Sequence, residues 1–337
     1  MINLAINGFG RIGRFVFKII IENYSDEINV VAINDLTDTK TLAHLLKYDS
    51  VHGKFDAKIE CTKHSLVINN NQIHVLSEKD PELLPWKHLQ VDIVIESTGF
   101  FRTKELAEKH INAGARKVII SAPAKSDDIK TIVLGVNENT YDHEKDNIIS
   151  NASCTTNCLA PMVKVLNDNF GVEKGLLNTI HSYTADQKLV DAPHKDLRRA
   201  RSAAINIVPT TTGAAIAVTK VIPSLQGKLD GIALRVPTAD GSIVDFTCQL
   251  KRNVSKNEIN KLFKNVSLHH LKGVLEYTEE PLVSTDIVGN PHSVIFDSQL
   301  TYVKDNLVKV IGWYDNEAGY SYRLVELALF LMGIKRR

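Results

Sequence analysis

The sequence predicts an α/β protein: a doubly wound parallel sheet, followed by a second, α+β region built on a mixed or antiparallel sheet. Three observations predict it. A strand, a glycine-punctuated turn and a helix open the chain. Short β-branched runs then alternate with helical segments up to about residue 150, and longer alternating strands take over beyond it. The 337 residues suffice for two cores, at roughly 150 residues per domain.

Taken in order, Ile2 to Asn7 alternates and reads as a strand, Gly8-Phe-Gly10-Arg-Ile-Gly13 as a tight turn, and the apolar-periodic segment from Phe15 to about Asn23 as a helix. Val30-Val31-Ala32-Ile33 ends at Asn34-Asp35 and closes a βαβ unit. Residues 73–76, 91–95, 118–120 and 132–134 are further short strands, with a helical pattern over 104–113. Residues 65–77, broken by Asn69-Asn70-Asn71, read as an antiparallel hairpin inserted into the sheet. After residue 150 come a helix at about 155–169 and alternating strands at 175–183, 229–236 and 242–251. Ser255 with Glu258 forms a capping box for a helix to about Lys264, and a strand at 308–314 precedes a final amphipathic helix from Ser321.

Composition excludes several function classes. Forty basic residues against 39 acidic ones leave a net charge of +1, so no whole-molecule field steers the chain to nucleic acid or a membrane surface. No apolar stretch approaches the roughly 18–20 residues needed to cross a bilayer, and the start lacks the pattern of a signal peptide. Four cysteines without a CxxC pair give neither a disulfide framework nor a metal site. The expected compartment is the cytoplasm.

Three segments carry chemistry. In the first, Gly8 permits the turn, Gly10 lets the backbone approach a pyrophosphate and Gly13 allows helix to pack on strand. Asp35, 22 residues further on at a strand end, accepts hydrogen bonds from ribose hydroxyls and repels a 2′-phosphate, so NAD is favoured over NADP. In the second, Cys154 within Ser150-Asn-Ala-Ser-Cys-Thr-Thr-Asn-Cys158 opens an apolar helix, where the helix dipole and free amides favour thiolate. His181 stands where an apolar strand meets a polar loop and is the candidate base. The third joins a basic run, His194 to Arg201, to Pro209-Thr-Thr-Thr-Gly213 and to Arg235 at a strand end: an anion site, hence a phosphorylated substrate.

At these residues the chain resembles phosphorylating glyceraldehyde-3-phosphate dehydrogenases, from Asn7-Gly-Phe-Gly-Arg-Ile-Gly-Arg14 through the Cys154 segment and His181-Ser-Tyr-Thr184 to Trp313-Tyr-Asp-Asn-Glu317. The resemblance implies a Rossmann NAD domain (1–151 and 318–337), a catalytic domain (152–317) and a homotetramer. It implies Cys154 as nucleophile and His181 as its base. Gly8, Gly10, Arg11, Ile12, Gly13, Asp35, Lys79, Ser121, Asn316 and Tyr320 would then line the cofactor site. Thr184 and Arg235 would hold the phosphate of glyceraldehyde 3-phosphate, and Ser153, Thr155, Thr212 and Gly213, with Arg199 nearby, the incoming inorganic phosphate. The chain departs from the family's common pattern at Ile216, Ala318 and Ala239-Asp-Gly241. The competing readings are an erythrose 4-phosphate enzyme, an NADP-preferring relative and, from another class, a binding protein without turnover.

Overall fold

The computed structural model describes residues 1–334, which cluster into two compact units: 1–132, 139–152 and 321 onward in the first, 133–138 and 153–320 in the second. In the first unit the chain forms β1 (Ile2–Asn7), α1 (Arg11–Asn23), β2 (Ile28–Asn34), α2 (Thr39–Lys47), the small hairpin β3 (Tyr48–Asp49) and β4 (Gly53–Lys54), then β5 (Ile59–Cys61), β6 (Ser65–Ile68), β7 (Asn71–Leu76), β8 (Ile93–Glu96), α3 (Lys104–Asn112), β9 (Lys117–Ile120), β10 (Lys130–Thr131) and β11 (Ile148–Ser150). Nine of these strands make one sheet in the order β10-β11-β9-β8-β1-β2-β7-β6-β5. It is parallel from β10 to β7 and antiparallel only where β6 and β5 are appended.

The inserted hairpin is thus β6 and β7, and its turn residues Asn69 and Asn70 take the left-handed conformation (φ 50° and 71°) that asparagine tolerates. From β1 the chain builds outward through β2 on one side and later through β8 on the other. That reversal beside β1 is the switch point at which doubly wound sheets bind ligands, at the carboxyl ends of the strands. Helix α1 begins at Arg11 rather than Phe15, directly on the glycine turn. The strand expected at 132–134 lies instead at Lys130–Thr131. The apolar run Ile132-Val133-Leu134 is buried without extending the pairing, because β10 finds its partner only at Ile149 and Ser150.

In the second unit follow α4 (Cys154–Phe170), β12 (Val172–Ser182), β13 (Val208–Thr211), α5 (Ala214–Val221), β14 (Leu229–Val236), β15 (Ser242–Leu250), α6 (Lys256–Leu268), β16 (Leu275–Thr278), β17 (Val294–Asp297), β18 (Tyr302–Lys304) and β19 (Leu307–Tyr314). They form a mixed sheet ordered β13-β14-β12-β15-β19-β17-β16, with β18 beside β19. The long central pairings β12–β15 and β15–β19 are antiparallel, whereas β12–β14 is parallel. Strand β15 alternates strictly between buried and half-buried residues, and α4 packs on its buried side with Leu159, Met162, Val163 and Leu166 fully enclosed.

Only half of the expected capping box forms. Ser255 Oγ accepts the Glu258 N–H at 3.1 Å, but the Glu258 carboxylate turns away to Arg252 at 2.6 Å, and α6 runs on to Leu268. The last helix, α7 (Ala318–Leu331), starts three residues before Ser321 and is buried on nearly every side rather than amphipathic. Its polar residues Arg323 and Glu326 are themselves buried and pair at 2.8 Å. Among the described residues no helix is long and apolar enough to cross a membrane.

Candidate active site

In the first unit the candidate residues gather at one edge of the parallel sheet. The turn with Gly8, Gly10, Arg11, Ile12 and Gly13 follows β1, Asp35 follows β2, Lys79 follows β7 and Ser121 follows β9. Gly8 sits at φ +92°, and a Cβ there would lie 2.7 Å from the Thr98 nitrogen; a Cβ on Gly13 would lie 2.2 Å from the Gly8 carbonyl oxygen. Helix and strand therefore meet at a distance only glycine permits. Gly10 differs, because a Cβ there would meet nothing. The open space lies in front of an α1 terminus that has neither a side-chain cap nor an acidic residue in its first turn. Such a terminus presents free N–H groups and the positive dipole end to an anion, so the cradle fits a diphosphate.

Asp35 is held by two backbone donors, Phe9 N–H at 2.8 Å and Thr37 N–H at 2.9 Å. Its carboxylate is thereby fixed at the strand end with lone pairs left for hydroxyl donors. Arg11 is exposed and pairs with Asp49 at 3.1 Å, Ile12 is half-buried in the first turn, and Lys79 is exposed. Ser121 is placed by its own N–H, which donates to the Glu96 carbonyl at 2.9 Å.

In the second unit Cys154 is the first residue of α4, whose N-cap Ser153 accepts the Thr156 N–H at 3.1 Å. The preceding Ala152 is buried at φ 55°, a left-handed conformation costly for a residue with a Cβ. This strained turn swings the chain from β11 into α4. Cys154 Sγ lies 3.5 Å from His181 Nε2. His181 Nδ1 lies 2.7 Å from the Ser182 carbonyl, which can only accept; a proton on Nδ1 leaves the Nε2 lone pair facing the thiol.

Arg235 stands opposite His181 in the parallel β12–β14 register; its Nη1 donates to the Ser182 carbonyl at 3.0 Å and lies beside His181 Nδ1, so that in this tautomer the two donors share that one carbonyl. Burial, reinforced by that guanidinium, pushes the imidazole down to about 3. Burial also pushes the Cys154 thiol up, and Arg235 and the Thr155 N–H draw it back only in part. The helix start favours the thiolate as the sequence led one to expect, Arg235 adds to it, and burial opposes both. Burial thus pushes both groups toward their neutral forms. Arg235→Gln removes the largest opposing charge and is expected to slow alkylation of Cys154 by iodoacetamide at neutral pH, by about tenfold for each pK unit lost. An unchanged rate would contradict the Coulombic role of Arg235.

The anion-site residues are only partly assembled. Thr212 and Gly213 stand at the start of α5, Thr212 Oγ1 accepting the Ala214 N–H at 3.2 Å, and Gly213 leaves that terminus without a side-chain cap. Thr184 is half-buried just beyond β12. The Thr155 hydroxyl is occupied by Tyr314 at 2.9 Å. Arg199 does not project free: its Nη1 pairs with Asp186 and its Nε donates to Thr210 Oγ1 at 2.9 Å. Asn316 is buried and its Oδ1 accepts from Ser242 Oγ at 2.6 Å, which turns its NH₂ the other way; Tyr320 is buried. Of the departures from the common pattern, Ile216 is exposed, Ala318 is buried, and Asp240 is a buried carboxylate that, together with burial, pushes the neighbouring Asp315 carboxyl up.

Two supporting residues escaped the sequence reading. The Tyr314 hydroxyl joins Thr155 to Thr179 at 2.9 and 3.0 Å, and its ring meets the His181 ring edge-on, fixing the imidazole against the first turn of α4. Ser242 links the Ser182 N–H, 3.1 Å away, to Asn316. The position of Tyr314 at the end of a strand, immediately before the quoted Asp315-Asn316, is the signal that could have found it.

Family sequence models match both parts of the chain: "Glyceraldehyde 3-phosphate dehydrogenase, NAD binding domain" over residues 2–104 and "Glyceraldehyde 3-phosphate dehydrogenase, C-terminal domain" over residues 153–316. Among curated proteins, "Glyceraldehyde-3-phosphate dehydrogenase 2" of Streptomyces avermitilis is 56% identical over 331 residues, 98% of either chain. The enzymes named "Glyceraldehyde-3-phosphate dehydrogenase" of Geobacillus stearothermophilus and "Glyceraldehyde-3-phosphate dehydrogenase 1" of Bacillus subtilis are each 55% identical over the same share. With the glycine turn and the cysteine–histidine pair in place, these matches make the chain a member of the glyceraldehyde-3-phosphate dehydrogenase family.

Proposed function

We propose that this chain is an NAD-dependent oxidoreductase that converts D-glyceraldehyde 3-phosphate and inorganic phosphate to 1,3-bisphosphoglycerate in glycolysis. The observation that carries this reading is Cys154 Sγ at the head of α4, 3.5 Å from the Nε2 of a neutral, oriented His181. The thiol adds to the aldehyde carbon and its proton passes through His181 to the new oxygen, giving a hemithioacetal. NAD, when bound, supplies the hydride acceptor. His181 Nε2 then takes the hemithioacetal hydroxyl proton as the C–H bond is oxidised, and a thioester to Cys154 remains. Phosphate displaces Sγ from the thioester as a thiolate, and the proton lost by the attacking phosphate returns to the sulfur by way of His181. Burial disfavours the imidazolium, so the proton is held only briefly.

Asp35 receives the adenosine ribose, Gly8, Gly10, Arg11, Ile12 and Gly13 frame the diphosphate, and Lys79 and Ser121 complete the adenine and nicotinamide sides. Asn316 offers its NH₂ to the nicotinamide amide, since its oxygen is already engaged by Ser242, and Tyr320 packs near the ring. Thr184 and Arg235 hold the substrate's phosphate. Ser153, Thr155, Thr212 and Gly213 receive inorganic phosphate, with Arg199 acting from behind Thr210. We assign residues 1–151 and 318–337 to cofactor binding and 152–317 to catalysis.

A homotetramer in the cytoplasm is the expected working form. Within the second unit Leu189, Val190, Leu197, Ile205 and Ile207 are each at least 66% exposed, and Leu176 and Ile232 lie open on the sheet. So many exposed large apolar side chains suit burial against further copies of the chain. The enzyme reading is tested by mixing wild type with NAD and glyceraldehyde 3-phosphate in the absence of phosphate and mapping the adduct by mass. The expected result is a 3-phosphoglyceroyl group, held as a thioester, on the peptide containing Cys154; an unmodified Cys154 after turnover would overturn it.

A further inference from the structure

Beneath the glycine turn five polar side chains, none more than 5% exposed, form a continuous hydrogen-bonded chain that the proposed chemistry leaves unused: Trp86, His110, Glu96, Asn7 and Asn34. The donors run inward from both ends. Trp86 Nε1–H can only donate, and it donates to His110 Nδ1 at 3.0 Å. The imidazole proton therefore sits on Nε2, which donates to Glu96 Oε2 at 3.1 Å. Asn7 Nδ2 donates to the same oxygen at 2.5 Å, and Asn7 Oδ1 accepts from Asn34 Nδ2 at 2.7 Å. Glu96 Oε1 accepts from the Thr98 N–H at 2.8 Å and from the Thr98 hydroxyl. Asn34 closes on the main chain of Glu78, donating to its carbonyl at 2.9 Å and accepting its N–H at 2.8 Å. Every neighbour of the Glu96 carboxyl is a donor, so the cluster is built around a carboxylate.

Three points of this network are next in sequence to cofactor-site residues: Asn7 to Gly8, Asn34 to Asp35, and Glu78, held through its main chain, to Lys79. Thr98 belongs to the loop against which the bare Cα of Gly8 rests. Apolar side chains would hold β1, β2 and β8 together as well or better, because a buried carboxylate loses its hydration and recovers it only through complete hydrogen bonding. What the polar chain adds is direction. It fixes four segments at the carboxyl edge of the sheet relative to one another.

We propose that Glu96, with Asn7, Asn34 and Thr98, is a positioning network that sets the dinucleotide-binding loops in their binding geometry before NAD arrives, so that it governs NAD affinity and not the chemical step. The proposal rests on the cofactor reading given above. Glu96→Gln turns an amide NH₂ toward donors, and Thr98→Val removes one hydroxyl at the half-buried end of the network, whereas Thr98→Ser keeps it. In the full-length protein, NAD binding is measured by calorimetry, and the steady-state parameters are measured with NAD varied. Loss of a hydrogen bond to a buried charge is expected to raise both Kd and KM for NAD by about tenfold or more in Glu96→Gln and Thr98→Val. The kcat at saturating NAD stays within about twofold, and Thr98→Ser binds as wild type does. Unchanged NAD affinity in a folded Thr98→Val, or a fall in kcat at constant KM, would overturn the proposal, and the Thr98 pair decides the matter if Glu96→Gln does not fold. A wild type that binds no NAD would instead overturn the cofactor reading itself, and this inference with it.

Discussion

Replacing Cys154 with alanine is expected to lower kcat by about ten-thousandfold or more, with NAD affinity unchanged. The side chain forms and breaks every covalent bond to the substrate, so no other group substitutes for it and the loss belongs to the whole covalent route rather than to one contact. Cys158 does not rescue the variant: it is fully buried one helical turn further on, its sulfur faces the Gly312 carbonyl at 3.7 Å, and burial pushes its thiol well up. Steady-state rates together with calorimetric NAD titration check this. Activity within tenfold of wild type would show that the sulfur is not the nucleophile.

His181→Asn is expected to cost about a hundredfold to ten-thousandfold in kcat, because an amide of similar shape cannot take up the thiol or hemithioacetal proton. The pH profile separates this role from packing. Wild-type His181 is held down to about 3, so it is an unprotonated base throughout the neutral range. The variant instead gains rate as rising pH ionises the thiol without help. The same shift has a consequence for folding: a histidine with a folded value near 3 and an ordinary value of 6.5 contributes stability that is fully present above 6.5 and is lost as pH falls toward 3. Melting curves across that window should show a shallower acid loss in His181→Asn. An equally steep loss in the variant would mean that His181 does not titrate as described.

What was legible in the sequence was what local chemistry decides. The roles of Gly8 and Gly13 follow from their spacing, and the structure shows the clashes that a Cβ would make there. Strand β14 and the core of β15 follow from alternation alone. Helix α2 also left a local signal that went unread, with Asp38 capping Thr41 and Leu42 and Leu46 buried one turn apart. What was illegible depends on neighbours distant in sequence. The apolar run 132–134 has the composition of a strand, but pairing ends at Thr131 because the partner strand β11 ends at Ser150. Arg323 and Glu326 gave α7 an apparent polar face that the fold buries as an ion pair. For Cys154 the helix start is visible in the sequence, whereas the burial that pushes the thiol up is not. Arg199 looked like a free anion ligand until the fold supplied Asp186 and Thr210.

An acyl group that waits on Cys154 until phosphate removes it is tested most directly by reduced-nicotinamide formation from glyceraldehyde 3-phosphate and NAD with phosphate present or absent. The expected result is a burst of at most about one NADH per chain without phosphate, followed by a stall, and sustained turnover once phosphate is added. Sustained turnover without phosphate would contradict it, because water would then be releasing the acyl group, as expected of the erythrose 4-phosphate alternative.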